Sequence, residues 1–399
     1  MQSTASKNKS RMSNSDAASD ADDFSAAQHH SESALHATHE KTTSISPGEL
    51  ASVCAHYDLG EIQSVLQYKR GSRKSPKVLL VCAQGRYLLK RRARGRDDPL
   101  RVALGQHIQQ TLFALGFPTP RILKTTHTQN SILKLNGRIY ELFDFVPGEP
   151  FDRTPEPCEH AGVLLATMHR MLTAMQTNTP APTWSYHNDP RTRKRLKVIA
   201  DSGTSGQTRA AVARTEQPIT GTTPTQLLSA YRAASKRACD LLSNSSLPNP
   251  VTHTEQLLHG DWHPGNMIFQ DGRVAAVLDF DTARMGLPIT ELANGLLQFS
   301  LARVGTNADD WPDPLDATRF ASFMRGYASV AGRFDARALP ALMAQAIIAE
   351  VAAPIAQTGT FGSLDAAPFL RMASRKAAWI MAHEVGLVGL AKRSMEQSA

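Results

Sequence analysis

The run Leu257-Leu258-His259-Gly260-Asp261-Trp262-His263-Pro264-Gly265-Asn266-Met267-Ile268-Phe269, continued by Gln270-Asp271-Gly272-Arg273 and Val274-Ala275-Ala276-Val277-Leu278-Asp279-Phe280-Asp281, is unlike the rest of the chain. A short apolar strand delivers Asp261 into a loop that holds Pro264 and Gly265. Two apolar strands then flank Asp271-Gly272, a dipeptide that favours a tight hairpin turn. Asn266 and Asp279 are equidistant from that turn, so they face each other within a residue or two at the open end. Asp261 precedes Asn266 by five residues, and the spacing predicts that three oxygen-bearing side chains meet there. Two carboxylates and an amide suit a hard cation such as Mg²⁺, which keeps waters and takes further ligands from phosphates. One carboxylate stays free to orient an attacking hydroxyl. Phosphoryl transfer requires that arrangement, because positioning and charge neutralisation do most of its catalysis.

Outward from this segment the chain changes character twice. Residues 65–69, 78–83 and 86–91 read as strands, the first two joined by a loop over 70–76. A helix is predicted over 100–115, with Val102, His107, Ile108, Leu112 and Leu115 on one side, ended by Gly116, Pro118 and Pro120. Strands 132–134 and 138–145 pair around Asn136-Gly137, and Pro147-Gly148 breaks the chain. Beyond that point Ala161, Leu164, Leu165, Met168 and Leu172 form a helical stripe. Residues 176–224 read as a long flexible insertion, and helices follow over 226–242, 341–351 and 369–388. The fold class is α+β: a tail over 1–50, a small antiparallel-sheet lobe with one helix over 51–147, and a larger helical lobe over 148–399.

Composition narrows the function classes. The 399 residues, 41% hydrophobic, exclude collagen, a disulfide scaffold and a wholly disordered chain. Cys54, Cys82, Cys158 and Cys239 are far apart, with no CxxC pair, and read as thiols of a reducing cytoplasm. No apolar stretch reads as a membrane span, and no signal core precedes the tail, so a cytoplasmic location without membrane contact is expected. The tail is polar and acidic and is expected to be disordered, because it cannot bury enough surface to offset ordering entropy, and its histidines (His29, His30, His36, His39) read as solvated. The net charge is +8, while residues 1–50 carry four basic against seven acidic side chains, so the body is about +11. A basic body suggests an anionic ligand: nucleic acid, a membrane surface or a phosphorylated small molecule.

His-x-Asp-x-x-x-x-Asn followed by an apolar strand ending in Asp resembles the catalytic loop and metal-binding aspartate of kinases. In the form His259-Gly260-Asp261 with Pro264-Gly265-Asn266 and Val277-Leu278-Asp279-Phe280, it resembles the phosphotransferase enzyme family. That family includes aminoglycoside phosphotransferases, choline kinases and kinase-like homoserine kinases. The resemblance implies a two-lobed protein-kinase-like fold, with ATP and Mg²⁺ as cofactors and a small-molecule hydroxyl as acceptor. By matching position Asp261 would be the catalytic aspartate, His259 would brace the loop, and Asn266 and Asp279 would hold Mg²⁺. Lys90, in Tyr87-Leu88-Leu89-Lys90, would meet the ATP phosphates. In Tyr140-Glu141-Leu142-Phe143-Asp144-Phe145-Val146-Pro147-Gly148 the Asp144 carbonyl and Val146 amide would bond adenine. Residues 166–169 would lie on the helix under the catalytic loop. Two departures stand out: the predicted helix offers only Gln106 and His107 where many kinases place a glutamate partner for the lysine, with Asp97 and Asp98 upstream, and Gly71 alone replaces a glycine-rich loop.

Neighbouring residues carry plainer readings. Asp281 reads as a strand-end cap ahead of a second metal contact, His263 as a loop hydrogen-bonder, and His169 as a core histidine. Arg91 to Arg96 and the run Arg191, Arg193, Lys194, Arg195 and Lys197 read as solvated charge. Trp311, Phe320, Phe323 and Tyr327 read as helical core. Glu291, Asp309, Asp310, Asp313 and Asp316 are candidates for meeting a cationic amine. Rival readings are a metallohydrolase using His259, Asp261, His263 and Asp279, and a catalytically inactive binding protein; no nucleic-acid-binding motif supports a nucleic-acid partner. The acceptor stays open among an amino alcohol such as homoserine or choline, a sugar, an aminoglycoside and a protein serine.

Overall fold

Five short strands, β1 (Ile62–Gln67), β2 (Lys77–Cys82), β3 (Gly85–Arg91), β4 (Leu133–Leu135) and β5 (Arg138–Asp144), form an antiparallel sheet in the order β1-β2-β3-β5-β4. The computed structural model describes residues 44–398 apart from 69–74, 176, 178, 184, 202–221, 245–253 and 363. Alternation gives the sheet two faces. Val78, Leu80, Tyr87, Leu89 and Leu142 pack with Val53 of helix α1 (Pro47–Cys54). The other face turns Lys77, Lys90 and Glu141, paired in register across β2, β3 and β5, toward the cleft between the lobes. Asn136 and Gly137 take φ of 50° and 68°, the positive values that the β4–β5 turn demands.

Residues 44–50, assigned above to the tail, belong to the small lobe. Ser46 and Glu49 cap α1 reciprocally, and Ile45 is buried beside it. The rest of the tail (1–43), with its four histidines, and residues 70–74 of the first loop lie outside the described residues. Helix α2 (Pro99–Ala114) starts at the Asp98 cap, one residue from the predicted position. Its buried side is Val102, Ile108 and Leu112 with Gln106 and Gln109, whereas His107 faces out and Leu115 lies past the last turn, exposed.

The larger lobe contains α3 (Pro155–Thr173), α4 (Pro190–Asp201), α5 (Thr222–Ser243), α6 (Pro288–Ser300), α7 (Ala317–Ala331), α8 (Leu339–Thr358), α9 (Ala366–Ala382) and α10 (Glu384–Glu396). Two expectations are corrected. The stretch 176–224 contains α4: Asp189 accepts from Thr192 N at 2.9 Å, and Thr192, Leu196 and Ile199 bury one face while Arg191, Lys194 and Lys197 stay exposed. Residues 369–388 form two helices, because the backbone leaves helical geometry at His383. Helix α8 is buried on all sides; an 18-residue window of it reaches a mean hydropathy of 1.6 with 89% of that window inside the protein. That is the composition of a core helix around which a lobe packs. Trp311, Phe320, Phe323 and Tyr327 belong to the same core, as expected.

Candidate active site

The decisive segment is pinned at both ends. β6 (Gln256–Leu258) pairs with β9 (Arg284–Gly286), so the chain entering the loop and the chain leaving the hairpin run side by side. Between them His259 donates from Nε2 to the Leu278 carbonyl at 2.9 Å and accepts the Asp261 N–H on Nδ1 at 3.2 Å. Gly260 sits at φ 86°, where a Cβ would fall 2.1 Å from the Thr282 carbonyl oxygen, so only glycine lets the loop lie on the turn. Glu291 of α6 accepts from the N–H groups of Gly260 (2.5 Å) and His259 (3.3 Å), and its Oε2 also meets His169 Nε2 at 3.0 Å. Burial works to raise the Glu291 carboxyl, but His169, His259 and the Gly260 N–H together hold the group below its ordinary value. His169 is thus a satisfied core histidine on α3, and Glu291 is a buried support rather than a contact for an amine.

The loop aims the Asp261 side chain. Its Oδ2 accepts from Asn266 Nδ2 at 2.6 Å and from His263 Nε2 at 3.1 Å, while His263 Nδ1 takes the Gly265 N–H at 2.9 Å. The other oxygen, Oδ1, has no hydrogen-bond partner among the described residues. Burial opposes ionisation of Asp261, yet the adjoining His263 imidazole and the Asn266 amide bring it down to about 2. With its Nδ2 committed to Asp261, Asn266 keeps Oδ1 as its free acceptor.

The hairpin brings Asp279 round. β7 (Met267–Gln270) and β8 (Arg273–Val277) pair Met267 with Val277, with one residue of slip between Ile268 and Phe269, about a turn in which Asp271 and Gly272 have φ of 50° and 70°. Leu278 N bonds the Asn266 carbonyl at 2.8 Å, so Asp279 emerges next to Asn266, and both line the cleft. Asp279 takes φ 62°, a strained value for a residue with a Cβ. Its Oδ1 is buried without a hydrogen-bond partner among the described residues, and burial together with the negative charge of Asp281 raises its pKa. An amide oxygen beside an under-satisfied carboxylate fits a hard divalent cation that brings its remaining ligands with it. His259 and His263 spend their ring nitrogens inside the loop, which leaves the metallohydrolase reading without nitrogen ligands. Among the described residues no three His, Cys, Asp or Glu side chains gather as a metal cage.

A charged array faces this loop from the sheet. Lys90 Nζ lies 3.2 Å from Asp281 Oδ2 and 3.5 Å from Asp279 Oδ1, which raises its pKa although burial works against the charge. Asp281 is therefore a partner of the sheet, not a strand-end cap. Arg92 holds it too, at 2.7 and 2.8 Å, and on the other side grips Glu141 at 2.7 and 3.0 Å. Glu141 is 1% exposed and Arg92 5%, so Arg92 is a buried tie; Arg91 is buried as well, bonded to Glu49 at 2.7 Å. Gln106 completes the array by donating to Glu141 at 2.7 Å. The helix that lacks a glutamate thus supplies an amide, and the carboxylate comes from β5.

The connector lies directly against the hairpin. Glu149 and Phe269 exchange backbone bonds of 2.7 and 3.0 Å, and a Cβ on Gly148, at φ 148°, would strike the Phe269 carbonyl. Asp144 and Val146 line the cleft on this side, with the Asp144 carboxylate bound to Arg121 at 2.8 Å. The remaining acidic candidates are engaged elsewhere. Asp309 pairs with Arg371 and Arg375, Asp313 with Arg375 and Asp316 with Arg319, while Asp310 is exposed.

Known proteins share this layout. The microcompartment-associated aminopropanol kinase superposes with a TM-score of 0.58 at 15% identity, over 86% of this chain and 98% of that one. A choline kinase from Cryptosporidium parvum gives 0.57 at 11% identity, over 86% and 98%. An aminoglycoside phosphotransferase from Alicyclobacillus acidocaldarius gives 0.56 at 13%, over 93% and 99%. At such identities the likeness establishes a kinase-like fold. No curated protein sequence matches the chain. The model of the phosphotransferase enzyme family matches residues 69–342, a span that takes in β2, Lys90, the connector, the His-Gly-Asp loop and the Asp279 turn. By that match, over more than half its length, the chain belongs to the phosphotransferase enzyme family.

Proposed function

We propose that this protein is an ATP- and Mg²⁺-dependent kinase that phosphorylates a hydroxyl of a small amine-bearing alcohol. The observation that carries the reading is that Asn266, hydrogen-bonded to Asp261, lines one cleft with Lys90 and with Asp279, whose Oδ1 has only the 3.5 Å ion pair with Lys90 among the described residues, while Asp261 Oδ1 has no hydrogen-bond partner among them. Asp144 and Val146 would seat adenine, and Lys90 would meet the phosphates. Asn266 Oδ1 and Asp279 would hold Mg²⁺, which supplies charge neutralisation for the phosphate oxygens. Asp261 accepts the hydrogen bond of the acceptor hydroxyl and takes its proton. The acceptor oxygen forms the new bond to the γ-phosphorus, the bond from that phosphorus to the β–γ bridging oxygen breaks, and ADP leaves. A carboxylate held at about 2 is a weak base, which suits a loose transition state in which orientation matters more than proton abstraction.

The acceptor class rests on α6 and α8. Glu291, Asn294 and Gln298 follow one another at three- and four-residue spacing on one face of α6. Glu291 supports the Asp261 loop and Gln298 donates to Glu350 of α8 at 2.5 Å. Asn294 lies between them, 8% exposed, with Oδ1 buried and without a hydrogen-bond partner among the described residues. Burial and the charge of Asp261 push the Glu350 carboxyl up to about 8. A second acidic group and an idle amide oxygen beside the reacting aspartate call for a cationic donor, an ammonium on the molecule that carries the hydroxyl.

The test is ADP release from Mg²⁺-ATP across paired alcohols with and without an amine. Amine-bearing members are expected to turn over, and Glu350→Gln is expected to raise their KM by about 10- to 100-fold, the worth of a charged hydrogen bond, with the KM for ATP unchanged. Because the ionised carboxylate binds the ammonium, wild-type acceptor KM should fall as pH rises through about 8, a dependence lost in Glu350→Gln. Equal turnover of amine-free alcohols would remove the acceptor assignment.

A further inference from the structure

We propose that Lys77 is a second phosphate-binding cation of the cleft, and that its ligand is the polyphosphate chain of a nucleoside triphosphate. The inference rests on the reading of the cleft as a nucleotide site. Lys77 stands directly across from Lys90 in the β2–β3 ladder, and directly paired residues project to the same face. The row continues to Glu141, but that carboxylate is taken by Arg92 and Gln106. Asp279 and Asp281 are taken by Lys90 and Arg92. Lys77 is left with one long bond, 3.3 Å, from Nζ to the Ser75 carbonyl, and forms no ion pair among the described residues.

Two like charges side by side, one of them without a counter-ion, cost stability unless an anion shares them. The cavity they line also contains Asn266 and Asp279, so an anion between the lysines lies beside the proposed metal ligands. Burial, together with the charge of Lys90, brings Lys77 down to about 8, while Asp279 and Asp281 draw it back up. Arg92, Arg96 and Glu141 also border this cavity. A polyphosphate placed against Lys77 adds negative charge and favours its ammonium form, so binding takes up a proton where the free lysine is partly neutral. An affinity difference between ATP and AMP isolates this contact, because AMP lacks the terminal phosphates.

The experiment is isothermal titration of ATP and of AMP, with Mg²⁺, into wild type, Lys77→Met and Lys77→Arg, with a melting curve for each variant. Lys77→Met is expected to weaken ATP about 10- to 100-fold, to leave AMP within about twofold, and to melt no lower than wild type. Lys77→Arg should restore ATP binding to within about threefold. Titrations at pH 8.5 in buffers of different ionisation enthalpy should show proton uptake on ATP binding by wild type, absent in Lys77→Met. ATP affinity of Lys77→Met within twofold of wild type overturns the assignment and leaves the nucleotide reading intact. Equal loss for ATP and AMP with a lowered melting temperature overturns it in favour of a packing role. Failure of wild type to bind ATP overturns both.

Discussion

Replacement of Asp261 by Asn is expected to lower turnover by about 10²- to 10⁴-fold while ATP binding stays within about twofold of wild type. The substitution keeps the shape of the side chain and an oxygen for the bonds from Asn266 and His263, so the loop has no reason to move. What it removes is the charge on the oxygen that has no partner in the loop. The nucleotide would be held from the connector, Lys90 and Asp279, none of which depends on Asp261. The measurement is kcat with an amine-bearing alcohol beside a calorimetric ATP titration of the same preparation. Unchanged kcat would remove Asp261 from the reaction; lost ATP binding would show that it serves the fold of the cleft instead.

Replacement of Arg92 by Met should cost about 3–5 kcal/mol of stability, the scale found when one partner of a buried ion pair is removed. Two carboxylates lose their guanidinium at once. Among the described residues Glu141 then keeps the Gln106 amide, and Asp281 keeps the Lys90 ammonium as its cation. Adding Glu141→Gln to the Arg92→Met protein should recover part of the loss, because it removes the orphaned charge rather than adding a contact. Denaturant midpoints of the single and double variants measure this, and a single variant within about 0.5 kcal/mol of wild type would contradict it. The same array sets an acid limit. Asp281 is held well below the usual aspartate range by Lys90 and Arg92 in spite of its burial, so it contributes stability above that range. The contribution disappears as pH falls through the depressed value.

These two variants mark what the sequence can and cannot disclose. That Asn266 sits beside both Asp261 and Asp279 was legible because one loop and one tight hairpin set those neighbours, and Asp271-Gly272 fixes the turn locally. Arg92 and Glu141 were not, since they meet only when β3 and β5, non-consecutive strands, lie side by side. The available hint was periodic: Arg92 is two residues after Lys90 and shares its face of the sheet. Asp281 was misread for the same reason, as its partners lie 189 and 191 residues away. Glu350 was hidden in a helix whose apolar composition announced only core. Helix α4 escaped because its apolar face holds just Thr192, Leu196 and Ile199 among many charges. The fold class, by contrast, needed only strand alternation followed by helical stripes.

On the proposed reading, Asn266 and Asp279 hold a metal that arrives with the nucleotide. The most direct measurement follows Mn²⁺, as a paramagnetic substitute for Mg²⁺, by electron paramagnetic resonance while ATP is titrated into wild type and Asp279→Ala. Wild type should bind Mn²⁺ weakly alone and at least tenfold more tightly with ATP, and Asp279→Ala should lose that gain. Equally tight Mn²⁺ binding without nucleotide, or an undiminished gain in Asp279→Ala, would contradict it.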